Sequence, residues 1–367
     1  MRVLLAAAVS LAAAAVSAAG ATPRTETLVP LARGTISAFA QDDRLIAWFT
    51  PDAKGCNAVH VRSVINPLKV DLPKQRDSHN VTCRWTVDGS TVTLAIAGNT
   101  SNVLWTLHES SPLQFDYLVG AGTVDRRERR FQQLAHTNRG NGLWFGGVTG
   151  DGTTLAYAVT SVDYADEAGC LTGTGSCGMK IAGGGVYRIV GLQQRPKLVP
   201  GTKRGAVAIA AGGGRIAYVG TGAITKRGKP VAGGDLPIQV VDAADGRVVS
   251  SVQPQGTPIA IALSTHVLAA LERTPLGLRL AWYAPSSGSP IGSVPVAIAT
   301  RPELTVSDRL AVFRVGRSIR AVEIATGRVK TLITAAGRPI GLSIEGSRLA
   351  WAENLKHGAR IRALHVS

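Results

Sequence analysis

The sequence predicts an all-β fold, a single seven-bladed β-propeller, with six or eight blades as alternative counts. Three observations predict it. A turn-plus-strand phrase recurs seven times, glycine is abundant (42 residues) while helix signals are scarce, and an isolated strand near the amino terminus fits an incomplete last repeat. Short strands that recur at this interval are typical of a radial array of sheets.

The repeated phrase is a tight turn followed by apolar residues around a small central residue. Examples are AQDDRLIAWF from Ala40, TVDGSTVTLAI from Thr86 and SIEGSRLAWAE from Ser343. The seven central residues are Ala47, Thr93, Ala156, Ala217, Ala269, Ala311 and Ala350. Their spacing ranges from 39 (350 − 311) to 63 (156 − 93) residues. We therefore expect one sheet per phrase, with insertions in the second and third repeats.

Each repeat is predicted to form four antiparallel strands. In the sixth repeat these are residues 303–307, 309–315, 318–324 and 329–334, counted outward from the axis. Gly327 lies in the turn before the last strand, where a positive φ is commonly required. Small central residues suit the narrow space near an axis, and we expect four aromatic residues to fill wider spaces between sheets. These are Trp48, Tyr157, Tyr218 and Trp351.

The last repeat contains only three predicted strands, residues 340–344, 348–353 and 359–366. Residues 26–32 resemble an outermost strand and follow no other predicted strand. We expect them to complete the last blade, because an open ring would leave unpaired strand edges.

Residues 1–21 are predicted to be a cleaved signal peptide, with Arg2 before an apolar run and Ala19-Gly20-Ala21 at the cleavage site. Cleavage after Ala18 is an alternative. A permanent anchor is disfavoured, because a membrane span needs about 20 apolar residues. The propeller is then expected to occupy residues 22–367, with no transmembrane span in the mature chain. The protein is predicted to be exported to the periplasm, the cell wall or the medium.

The chain is strongly basic, with 40 Lys and Arg against 24 Asp and Glu, for a net charge of +16. Export and the scatter of the basic residues disfavour nucleic acid as a partner. An anionic polymer of the cell envelope, or a protein, is the expected partner.

Four cysteines in an exported chain predict two disulfides. Three pairings are possible. We favour Cys170 with Cys177, which would close a short glycine-rich segment, and Cys56 with Cys83. A zinc site is the disfavoured alternative, because the chain contains no CxxC pair.

The phrases VDGSTVTLAI, GDGTTLAYAV and EGSRLAWAE and the ATGRV and AADGRV turns resemble β-propeller repeats of the WD-repeat-like class. The likeness extends to bacterial exported TolB-like propellers, such as that of the Tol translocation system. It covers essentially the whole mature chain and implies the propeller fold. No functional residue is carried over from that family.

The sequence favours a non-catalytic role. It contains no GxSxG, HExxH or DxDxDG motif, so no catalytic residue, cofactor or metal site is predicted. The alternative is a propeller enzyme, a lyase, hydrolase or cyclotransferase, with its active site in the central channel. At least two His, Asp or Glu side chains within hydrogen-bond reach inside the channel mouth would favour that alternative. A channel lined by Ala, Val and Gly would favour a binding module.

Two long insertions between second and third strands are the candidate binding loops. Residues 160–184 carry Asp163, Tyr164, Asp166 and Glu167, and residues 221–237 carry Lys226, Arg227 and Lys229. Such loops and the connections between blades emerge on one face of a propeller, where loops on a rigid scaffold commonly bind partners. We expect one rim, acidic on one side and basic on the other. The open alternatives are tolerated surface insertions and a metal site at Asp163, Asp166 and Glu167.

Overall fold

The computed structural model describes residues 25–51, 57–66, 69–70, 79–80, 89–97, 102–111, 114–124, 129–136, 141–164, 178–190, 196–225, 229–233, 236–297 and 302–366. The signal peptide predicted at residues 1–21 and the cysteines Cys56, Cys83, Cys170 and Cys177 lie outside these residues. The disulfides therefore stay predictions.

The described strands form a ring of antiparallel sheets. One sheet has five strands: β2 (Ala38–Asp42), β3 (Leu45–Pro51), β4 (Asn57–Asn66), β5 (Lys69–Val70) and β6 (His79–Asn80). Blade 1 contains β7 (Gly89–Ala97), β8 (Asn102–Ser111), β9 (Gln114–Val124) and β10 (Arg129–His136). Blade 2 contains β11 (Asn141–Asp151), β12 (Thr154–Tyr164), β13 (Met179–Val190) and β14 (Lys197–Leu198).

Blade 3 contains β15 (Ala206–Gly212), β16 (Arg215–Gly220), β19 (Ile238–Asp242) and β20 (Val248–Val252), with the hairpin β17 (Ala223–Ile224) and β18 (Pro230–Val231) inserted between its second and third strands. Blade 4 contains β21 (Thr257–Leu263), β22 (Leu268–Thr274), β23 (Gly277–Tyr283) and β24 (Pro290–Pro295). Blade 5 contains β25 (Leu304–Val306), β26 (Leu310–Val315), β27 (Ser318–Glu323) and β28 (Val329–Thr334).

Blade 6 closes the ring. It contains β29 (Pro339–Glu345), β30 (Arg348–Asn354), β31 (Ala359–His365) and, as its outermost strand, β1 (Thr25–Leu31). β1 pairs antiparallel with β31 from Thr25 opposite Leu364 to Leu31 opposite Ala359. This confirms the predicted closure by the amino-terminal strand, which leaves β31 with a partner on both sides.

The prediction of seven four-stranded blades is wrong. The described part of the chain has six sheets with the four-stranded blade pattern, and six was only an alternative count. Between blades 6 and 1 lies the five-stranded sheet, in which β4 pairs with β5 near its end and with β6 near its start. Two short strands thus replace one regular outer strand. Pro67 and Pro73 flank β5 in the sequence, and proline cannot donate to a strand ladder.

The repeated phrase starting at Thr86 was also assigned to the wrong strand. Residues 89–97 form β7, the innermost strand of blade 1, so Thr93 does not lie in a second strand. The other six phrases form a turn and a second strand as predicted. Their central alanines are all fully buried: Ala47, Ala156, Ala217, Ala269, Ala311 and Ala350.

The innermost strands β2, β7, β11, β15, β21, β25 and β29 contact one another in this order, and β29 contacts β2 again. They surround a central channel, and apolar clusters fill the spaces between adjacent sheets. The four aromatic residues predicted to fill these spaces are indeed buried. At Gly341 the φ angle is +64°, and an added Cβ would lie 2.2 Å from the Phe39 carbonyl oxygen. Glycine is required there because the inner strands approach so closely.

Candidate functional site

A groove opens between blades 2 and 3, on the face where the two insertions emerge. We call it the rim groove; its lining residues are Met179, Lys180, Ile181, Arg204 and Ile224. Its volume is about 550 Å³. The first three residues begin β13, Arg204 lies on the connection from blade 2 to blade 3, and Ile224 lies on β17. The described parts of both second-to-third-strand insertions and a blade connection therefore line one groove.

One wall of the rim groove is the start of β13. Lys180 pairs across the strands with Asp163, and its Nζ lies 3.5 Å from Asp163 Oδ2. The Lys180 side chain is 77% exposed and that of Asp163 is 33% exposed. An exposed ion pair of this kind contributes little to stability. Because most of the Lys180 side chain is exposed, its ammonium group is accessible to a ligand.

The second wall is the blade connection, residues 199–205, which a buried threonine holds in place. Thr202 is 3% exposed. Its hydroxyl donates to the Val199 carbonyl oxygen over 2.7 Å and accepts from the Val186 N–H over 3.0 Å. The next two residues, Lys203 and Arg204, are exposed. Two cations therefore project from a turn that the core of blade 2 anchors.

The junction below the groove is tightly packed. Thr160 and Thr221, 1% and 3% exposed, share a hydrogen bond of 2.7 Å between their hydroxyl groups. The Thr221 N–H donates to the Gly205 carbonyl oxygen over 3.2 Å. Gly205 has a φ of +83°, and an added Cβ would lie 2.3 Å from Thr160 Oγ1. This close approach fixes the two blades, and hence the two walls, relative to each other.

The third wall is the hairpin of β17 and β18, which contacts β13. Its turn is held by the Thr225 N–H, which donates to the Lys229 carbonyl oxygen over 2.9 Å, and by the Lys229 N–H, which donates to Thr225 Oγ1 over 3.1 Å. Lys229 is exposed. Among described residues, the charged side chains that line the groove are therefore Lys180, which pairs with Asp163, and Arg204.

The predicted binding residues have different outcomes. Asp163 pairs with Lys180 of the rim groove, and Tyr164 pairs through its backbone with Met179. Lys229 lies in the turn of the hairpin that carries Ile224. Asp166, Glu167, Lys226 and Arg227 lie outside the described residues. Of the three acidic residues predicted for the rim, Asp163 is the one that the structure describes, and it forms an ion pair with Lys180. Among described residues no group of three or more His, Cys, Asp or Glu side chains is placed to hold a metal ion.

The sequence analysis missed Met179, Lys180, Ile181, Arg204 and Ile224. They come from three separate segments, and no short motif marks them. The basic pair Lys203-Arg204 just before the inner strand of blade 3 was the available signal, because that connection had to emerge beside the insertions.

The central channel widens into a cavity of about 520 Å³ at the end formed by the first-to-second-strand turns. A cavity of about 280 Å³ lies at the opposite end. The residues that line both are apolar: Ile209, Ile261, Leu304, Leu342 and Gly341. Apolar residues therefore line the middle of the channel.

Acidic side chains surround the wider mouth, and they link turns of different sheets. Asp42 Oδ2 accepts from the Gly152 N–H over 2.7 Å, and Asp151 Oδ2 accepts from the Gly214 N–H over 3.0 Å. Burial raises the pKa of the Glu345 carboxyl, and the charge of Asp42 raises it further. These hydrogen bonds give Asp42 and Asp151 a structural role at the rim of the channel.

One His–Asp pair lies near the wider mouth, but of its two members only Asp308 lines the cavity. His266 Nδ1 lies 2.8 Å from Asp308 Oδ2. The side chains are 74% and 45% exposed, and Asp308 Oδ1 also accepts from the His266 N–H and the Ser264 hydroxyl. Burial tends to raise the pKa of Asp308, but the hydrogen bonds from His266 and Ser264 lower it overall. The carboxylate thus holds the Ser264–Val267 turn.

Solved structures share this architecture. The β-propeller domain of the Trilobed protease from Pyrococcus furiosus matches 90% of this chain and 95% of its own, at 6% identity and a TM-score of 0.51. This chain has the β-propeller fold. That domain has an open Velcro topology, whereas β1 closes the ring here. The Dos1 propeller is also similar, at 7% identity and a TM-score of 0.46 over 94% of this chain and 96% of its own. A prolyl endopeptidase matches 89% of this chain and 45% of its own, at 16% identity and a TM-score of 0.48.

At these identities the similarity concerns the fold alone. No protein-family model and no curated protein matches the chain. The likeness to WD-repeat-like and TolB-like propellers thus remains a prediction from the repeated phrases. Separately, none of the described residues belongs to a helix that could cross a membrane.

Proposed function

We propose that this protein is a non-catalytic binding module, exported to the cell envelope, that recognises an anionic protein or polymer through the rim groove. The observation that carries the proposal is the convergence of Lys180 and Arg204 on one open groove. Lys180 lies on a strand of blade 2 and Arg204 on the connection to blade 3, and the buried hydrogen bonds of Thr160, Thr202 and Thr221 support the walls that present them.

Charge supports the same proposal. The net charge of +16 attracts anions over the whole surface. Long-range attraction increases the rate of encounter, while a shaped cluster of cations adds a specific site. Arg204 can bind a carboxylate or phosphate through two parallel hydrogen bonds, and Lys180 adds a mobile ammonium group.

The test measures polyglutamate and dextran sulfate binding to the purified protein by biolayer interferometry. A Lys180→Glu/Arg204→Glu double variant should weaken binding of one or both at least about tenfold, the effect of losing about 1.4 kcal/mol. The matched control is Lys356→Glu/Arg338→Glu, two exposed cations of blade 6 with the same change in net charge. Equal affinity of the two double variants would overturn the proposal, because total charge alone would then account for binding.

A further inference from the structure

The rim groove is lined by apolar side chains as well as cations, which a site for anions alone does not need. Met179, Ile181 and Ile224 line it and are half-buried. A sulfated or phosphorylated polymer offers no apolar group to cover these side chains. A methionine at such a surface adapts to ligands of different shape. The occupant should therefore carry apolar groups as well as negative charge.

The backbone of β13 adds a second, independent constraint. β13 has β12 along one edge, but on its other edge β14 pairs only with Tyr187 and Arg188. Among described strands, none pairs with the outer edge of Met179–Gly183. An exposed edge of this kind accepts an extended peptide as an additional strand.

Strand geometry then determines the ligand pattern. Successive side chains of a strand point to opposite faces. Met179 and Ile181 share one face of β13, and Lys180 lies on the other, opposite Asp163. A peptide alongside would place alternate residues on these two faces. Apolar residues would meet Met179 and Ile181, and acidic residues would meet Lys180.

Resting on the proposed function, we infer that the ligand is an extended acidic peptide, in which acidic and apolar residues alternate, that adds as a strand to the outer edge of β13 at Met179–Gly183. The positive charges of Lys180 and Arg204 favour an acidic peptide over an uncharged apolar peptide. The apolar lining and the strand edge favour a peptide over a polysaccharide or a lipid head group.

Three probes of equal charge test the inference by fluorescence anisotropy: a peptide of alternating Glu and Val, a peptide of the same composition with all Glu before all Val, and a polyglutamate of the same number of carboxylates. The alternating peptide should bind about tenfold more tightly than either other probe. Equal affinities would overturn the inference while leaving the proposed function intact.

Variants separate the two proposals further. Ile181→Ser should reduce the affinity for the alternating peptide about fivefold and leave that for polyglutamate unchanged. Ile291→Ser, which alters a half-exposed isoleucine on the outer strand of blade 4, is the control and should change neither. N-methylation of alternate peptide bonds should abolish binding of the alternating peptide, since it removes the strand hydrogen bonds. Unchanged binding after Ile181→Ser or after methylation would contradict strand addition at β13.

Discussion

At the residue scale, a buried charge occupies the same repeat position in three adjacent blades, three residues after the central alanine. In blades 4 and 6 it is Glu272 and Glu353, each 0% exposed. Arg279 Nη2 lies 2.8 Å from Glu272 Oε2, and Arg360 Nε lies 2.6 Å from Glu353 Oε1. In blade 5 the position carries the opposite charge, Arg314, which is 3% exposed. The two glutamates pair with an arginine on the neighbouring strand of the same blade. Arg314 pairs with Glu303, which lies just before the innermost strand of blade 5.

Glu353→Ala should lower the free energy of unfolding by about 2 kcal/mol. The substitution leaves Arg360 and the Gly337 N–H without their carboxylate acceptor. Partial exposure of Arg360, 28%, keeps the loss below that of a fully buried pair. Urea unfolding measures the change. Asp245→Ala is the control; it removes an exposed pair with Arg247 and an exposed hydrogen bond from the Arg247 N–H, and should cost less than about 1 kcal/mol. Equal losses of unfolding free energy in the two variants would contradict the claim that the buried Glu353 pair stabilises the fold more than an exposed pair.

Glu345 gives the fold a pH dependence with a defined sign. Burial raises the pKa of its carboxyl most, and the charge of Asp42 raises it further. A hydrogen bond from the Asp43 N–H and the charge of Arg348 lower this pKa by less. A group whose folded pKa is raised favours folding below its unfolded pKa and loses that contribution as the pH rises through the folded pKa. Glu345→Gln should therefore raise the melting temperature at pH 8 relative to the unmodified protein, and raise it less at pH 4. The same difference at both pH values would contradict this assignment.

At the element scale, β1 is the strand on which closure depends. Leu28 and Val29 are buried against blade 6, while Thr27 on the same strand is exposed. Val29→Asp should lower the free energy of unfolding by about 3 kcal/mol, because it buries an unpaired carboxylate. Thr27→Asp, measured in the same urea titration, should change it by less than about 0.5 kcal/mol. A similar small effect of both would show that β1 does not pack against β31.

The strand pattern predicted most elements, but it placed one of them at the wrong position in its sheet. Residues 318–324 and 329–334 were located to within one residue, since turn glycines such as Gly327, with a φ of +69°, limit them. Residues 89–97 were placed one strand too far from the axis. Inner and second strands have the same alternation, and turn signals lie on both sides of this segment. Contacts of β7 with β2 and β11 decide its position, and those are distant in sequence.

At the scale of the whole molecule, the sequence indicated that the insertions and blade connections share one face, but not which residues line the groove there. The rule that insertions and connections share a face follows from strand order alone. The contact of β17 with β13 depends on close packing at Gly205 and Thr160, which no local pattern encodes. Similarly, the five-stranded sheet departs from the repeat, because β5 and β6 pair with opposite ends of β4.

The excess of positive charge should make polyanion binding sensitive to salt. Raising the NaCl concentration from 50 to 500 mM should weaken polyglutamate binding by about tenfold or more, because screening shortens the range of charge attraction. The alternating peptide should lose less affinity, since apolar contacts and strand hydrogen bonds resist screening. Isothermal titration calorimetry at both salt concentrations measures this. Equal losses would indicate attraction by charge alone.

Hydrogen–deuterium exchange with and without the alternating Glu-Val peptide tests the central claim most directly. The account predicts slower exchange in peptides that cover the start of β13, the connection 199–205 and the β17–β18 hairpin, with no change at the turns around Asp42, Asp151 and Asp308. Protection at the channel mouth, with none at the rim groove, would contradict it.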